Sequence, residues 1–131
     1  MGIEEAVKGI AEWGRMETEE LKRRTKEFGL RVIKLVEQLP RSKTADVIGQ
    51  QLLRSATSVG ANYRAACRAR SQADFVSKIC VVEEEADESA YWLELLEAAK
   101  IVSEAEISSL LKEADELTAI FVASGKTAKG R

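Results

Sequence analysis

The residues of this 131-residue chain that could do chemistry gather in two stretches. Glu85 and Glu88 are spaced by about one helical turn and fall in line with Val81, Trp92 and Leu95, beside an apolar stripe rather than opposite it. Carboxylates so placed can serve a metal, a general acid–base pair or a structural ion pair. The di-metal sites of helical bundles take Glu-x-x-His from two helices, and this chain has no histidine. The same absence removes the commonest general base and any Cys-His or Ser-His pairing. No catalytic residue, metal or cofactor is therefore expected. An ion pair remains: if the chain turns back near residue 70, Arg54 stands level with about position 87, close to both glutamates.

The second stretch is basic. Arg41, Lys43, Arg54, Arg64, Arg68 and Arg70 face only one acid, Asp46, whereas between Ser71 and Val102 two lysines oppose eight acids. Arg64 and Arg68 lie one turn apart on one face, and Arg70 follows at the turn, an arrangement able to meet phosphate. Solvent or acidic neighbours are the plainer destination for such arginines. With a net charge of −2, any nucleic-acid surface must be local. Ser55 and Asn62 occupy positions that the heptad count assigns to the core, where polar groups need partners; a hydrogen bond between helices that fixes register is the reading. Cys67 and Cys80 show neither metal spacing nor a disulfide framework. In a hairpin turning near residue 70 they stand roughly 9 Å apart along the axis, and are expected to be reduced, buried and apolar in role.

Four helices must position these groups. Residues 1–17 are weakly periodic and are set apart as an arm or frayed helix, with Trp13 the one residue there worth burying. Leu21, Thr25, Phe28, Val32, Leu35, Val36 and Leu39 recur at three and four, predicting a helix over 18–39 that Pro40 stops. The second helix, 43–69, carries Ile48, Leu52, Ala56, Val59, Tyr63 and Ala66 on one side. Gly49 and Gly60 weaken it by up to about 1 kcal/mol each, so packing must hold it; close approach of a neighbour over Gly60 and Ala61 is the inferred return. Ser71 with Asp74, and Ser103 with Glu106, read as capping boxes. They open helices over 71–100, with a seam of Phe75, Ile79, Val82, Ala86, Leu93 and Leu96, and over 103–123. The basic segment 124–131 is expected to be flexible. Short connections between four helices force an antiparallel up-down-up-down four-helix bundle, all-α, spanning 18–123.

Hydrophobic residues at 45% and charged residues at 32%, with one proline, fit one helical domain. No run of roughly 18 apolar residues occurs, and Glu4, Glu5 and Glu12 interrupt the start where a signal peptide needs an apolar stretch. No membrane contact and a cytoplasmic location are expected.

The segments QQLLRSATSVGANYRAA (Gln50 to Ala66), ADF (Ala73 to Phe75) and EADESAYWLELL (Glu85 to Leu96) resemble, in order, the four-helix-bundle family named for open reading frames in intervening sequences of 23S ribosomal RNA genes. With Phe28 and the Leu39-Pro40 pair the resemblance covers about a hundred residues. Arg54, Ser55, Ser58, Asn62, Ala66, Asp74, Phe75, Lys78, Glu85, Glu88, Tyr91, Trp92 and Leu93 fall on its pattern; Glu84 and Asp87 depart from it. The resemblance implies a homopentamer, and kinship with the accessory protein of diversity-generating retroelements, a pentameric bundle that binds nucleic acid and a reverse transcriptase. It implies no enzymatic activity. The functional expectation is a non-enzymatic oligomer presenting Arg64, Arg68 and Arg70 to structured RNA or DNA. The alternative is an oligomeric scaffold whose partner is another protein.

Overall fold

The computed structural model describes the backbone of residues 3–130 and the side chains of residues 17–130. Four helices account for it: α1 (Ile3–Glu37), α2 (Lys43–Ala66), α3 (Gln72–Ala98) and α4 (Glu104–Ala128). Each packs on the next in sequence, α2 and α3 most extensively, and α4 returns to touch α1 least. The architecture is the antiparallel four-helix bundle that the sequence predicts.

Local chemistry sets the helix limits. Ser42, Ser71 and Ser103 each accept the backbone amide three residues on, at 3.1, 3.0 and 3.4 Å, satisfying a donor that the first helical turn leaves open. Glu106 closes its box by accepting the Ser103 amide at 3.1 Å. Asp74 departs from the expected box and reaches one residue further, accepting the amide of Arg70 at 3.1 Å. At the end of α3, Lys100 adopts the left-handed conformation (φ 59°). The amides of Ile101 and Lys100 then donate to the carbonyls of Leu96 (3.0 Å) and Glu97 (2.9 Å), a Schellman turn that would ordinarily hold glycine.

Three limits differ from expectation, the first being the end of α2, which stops at Ala66 rather than 69. α4 continues to Ala128, through much of the segment predicted to be flexible, because Gly125 is buried close to Ile79 and extends the stripe by one more turn. Backbone helix likewise takes in residues 3–17, set apart above as an arm; the expected burial of Trp13 lies outside the described side chains.

The core runs the length of the bundle. Phe28 and Val32 from α1, Leu52 and Val59 from α2, Ile79 and Leu93 from α3, and Leu117 and Phe121 from α4 are all at or below 1% exposure. Tyr63 crosses from α2 to meet the Phe121 ring at 5.3 Å. Its burial pushes the hydroxyl well above the ordinary tyrosine range, and Cys67 beside it adds to the effect. Cys67 and Cys80 are free and half-buried, not the fully buried residues expected. Each lies at the margin of its helix's apolar stripe.

The backbones of α1 and α2 approach closely at Gly60, though less tightly than inferred. A Cβ there would meet the Thr25 backbone and hydroxyl at 3.5 Å, an ordinary contact, whereas at Gly49 it would meet the Leu39 side chain at 3.1 Å. A methyl therefore fits at Gly60 without displacing α1. Gly60→Ala should raise unfolding free energy in urea by about 0.5–1 kcal/mol through helix propensity and unfolded-state entropy. A lower midpoint would mean that α1 and α2 need glycine for their approach.

Candidate functional site

The turn between α2 and α3 places Arg54 beside both carboxylates. Its guanidinium donates to Glu85 at 3.1 and 3.3 Å through one nitrogen and to Glu88 through the other. The Trp92 indole N–H donates to the same Glu88 carboxylate at 3.0 Å, one turn along α3. Glu85 is the more buried acid and Arg54 the most exposed member. The Trp92 hydrogen bond holds the Glu88 carboxyl below the usual carboxylate range against the opposing effect of burial, and Arg54 adds to the lowering. Arg54 is correspondingly held above its ordinary value, by Glu88 first and Glu85 second.

Beneath this cluster Ser55 is fully buried and its hydroxyl lies 3.0 Å from that of Ser89, across the α2–α3 contact. Ser55 also reaches the Leu52 carbonyl at 3.1 Å and Ser89 the Glu85 carbonyl at 2.8 Å. Among the described residues no buried side-chain nitrogen or oxygen lacks a partner. Asn62 does not bridge helices as expected: half-buried, it donates to the Ser58 carbonyl of its own helix at 2.8 Å. Its place near the core edge lets the amide fold back on α2, so of these two residues Ser55 alone meets the neighbouring helix. The sequence reading passed over Ser89, which completes the three-and-four spacing of the α3 seam between Ala86 and Leu93. That spacing was the available signal.

Arg64, Arg68 and Arg70 are exposed, and none forms an ion pair with a described residue. Arg64 lines a groove of about 720 Å³ between α1 and α2, together with Lys22, Arg23 and Lys26 of α1. Those three cations were not foreseen, since the register of α1 against α2 is needed to bring them there. Arg24, one residue along, points the other way and forms a double hydrogen bond with Glu113 of α4, at 2.5 and 3.1 Å, with Glu116 at 3.4 Å. Among the described residues no three metal-ligating side chains converge, and no helix is long and apolar enough to cross a membrane.

Two outcomes follow. Ser89→Ala should cost about 1 kcal/mol in unfolding free energy, while replacing both Ser55 and Ser89 by alanine should cost less than the two single changes added, a coupling read from a double-mutant cycle. Glu88 has a lowered folded pKa, so its stabilisation is present above the unfolded value of about 4.3 and lost as pH falls through the folded one. Glu88→Gln should therefore lie below wild type in urea midpoint at neutral pH, with the gap closing in acid; a constant gap would remove the assignment.

The chain has relatives in both sequence and fold. The family model described as 23S rRNA-intervening sequence protein matches residues 17–123. Among curated proteins no match is found. A similar solved structure is a crystal structure of a protein of unknown function from the S23 ribosomal protein family of Bacteroides thetaiotaomicron. It is 34% identical, with 81% of this chain and 98% of that chain covered and a TM-score of 0.76. With the motif residues of α2 and α3 folded against each other as described, the chain belongs to the 23S rRNA-intervening sequence protein family.

Proposed function

We propose that this chain is a non-enzymatic accessory protein of the cytoplasm that works as a homo-oligomer, a pentamer by the family resemblance, and meets structured RNA or DNA through its basic edge. The observation that carries the reading is that Arg64, Arg68 and Arg70 are exposed and unpaired among the described residues. By contrast, Arg24 and Arg54 of the same chain are committed to carboxylates. Phosphate affinity comes from cations free to release counterions, and these three lie together at the α2 end and the turn that follows it. Lys26 beside Arg64 extends the positive field along α1, where Lys22 and Arg23 are paired with Glu19 and Glu20. An acidic α3 keeps the whole molecule from binding polyanions indiscriminately.

A second reading, a scaffold for another protein, draws support from Leu30, Val81 and Tyr91, which are large, apolar and 39–54% exposed. Binding to a labelled RNA hairpin, followed by anisotropy across salt, separates the two. Affinity should fall steeply between about 50 and 200 mM salt, and replacing either Arg68 or Arg70 by glutamine should reduce the slope of log affinity on log salt by about 0.7–0.9. No binding at the lowest salt to hairpin RNA or duplex DNA would remove the nucleic-acid reading.

A further inference from the structure

We propose that the groove between α1 and α2 receives the outer face of α3 from a second copy of this chain, so that each copy offers a groove to one neighbour and a helix face to another. The inference rests on the self-association proposed above and assigns its surfaces. Leu30, 45% exposed, lines the groove together with half-buried Ile33. Gly29, Gly60 and Ala61, also lining it, leave room between the helices for an incoming side chain. On α3, Val81 and Tyr91 are 39% and 54% exposed, about 15 Å apart along the axis on the helix's exposed side, and the Trp92 ring packs edge-on 5.0 Å from that of Tyr91. A rigid exposed aromatic is the kind of anchor that fills a pocket at an interface centre.

Charge selects the pairing. Lys26 and Arg64 line the groove and form no ion pair with a described residue. Glu84, Asp87 and Glu94 flank the α3 anchors, exposed and equally unpaired among the described residues. Groove against groove would set cation on cation, and α3 against α3 acid on acid; either arrangement opposes association. Groove against α3 satisfies both. The two surfaces are different, so the contact is heterologous and propagates into a closed ring or a filament. It would also take Arg64, leaving Arg68 and Arg70 to phosphate.

The test uses Leu30→Glu, which spoils only the groove, and Tyr91→Glu, which spoils only the α3 face. Light scattering should find wild type oligomeric and each variant at the 14.4 kDa monomer mass, with helical circular dichroism retained. An equimolar mixture should form a dimer of one of each, because the intact α3 face of the Leu30→Glu chain fits the intact groove of the Tyr91→Glu chain. Monomeric wild type would overturn self-association itself. Oligomeric wild type with either variant still oligomeric, or two monomeric variants that do not pair on mixing, would overturn this interface alone.

Discussion

The register of α2 on α3 rests on the buried hydroxyl contact between Ser55 and Ser89. Apolar side chains along two helices tolerate sliding by a turn, since one leucine can replace another in the next layer. A hydroxyl pair is more particular, because a shift separates the two oxygens and leaves each only the carbonyl of its own helix, Leu52 or Glu85. With Ser55 level with Ser89, Arg54 falls beside Glu85 and Glu88, and Trp92 on the following turn reaches the same carboxylate. The surface cluster is thus the outward continuation of a contact fixed inside. Its ion pairs are partly exposed and contribute modestly, so register flows from the core to the cluster rather than the reverse.

The opposite seam is built on another principle. α1 touches α4 least, and the contacts that cross there include Arg24 with Glu113 and Arg31 with the Ser109 hydroxyl at 2.6 Å. Arg24 and Glu113 are about three-quarters or more buried, and the hydrogen bond that the guanidinium donates to Glu113 holds it above its ordinary value despite desolvation. Directional bonds suit a seam where the apolar stripes do not meet closely, because they specify orientation over a longer reach.

How much of this was legible follows from the range of each interaction. Helix periodicity is local, so the four stripes and the serine caps at Ser71 and Ser103 could be read from neighbouring residues. Arg54 with its two glutamates was also readable, since one short turn fixes where α2 lies on α3. Arg24 with Glu113 was not: the partners are 89 positions apart, and their meeting depends on closure of the whole bundle, to which no local spacing refers. Asn62 shows the converse error. The heptad count assigns it to the core, whereas it lies half-buried at the stripe's edge, where a backbone carbonyl four residues back is an alternative partner. Gly125 was misread because glycine among basic residues resembles a tail, when its place in the α4 stripe, four past Phe121, marks it as core.

The segregation of charge joins the two proposed activities. A chain with 20 basic and 22 acidic residues is close to neutral, yet α2 and its flanks carry six cations against Asp46 alone, while residues 71–102 carry eight acids against two lysines. Such a molecule is electrostatically polar, and the field of one copy orients the next before contact. If the acids of α3 are consumed in neighbour contacts, the net field that the assembly presents outward becomes more positive than that of the single chain. A mildly acidic protomer and a phosphate-binding oligomer are then compatible: association would neutralise the repulsive part of the surface and leave Arg68 and Arg70, at the end of α2, repeated once per copy.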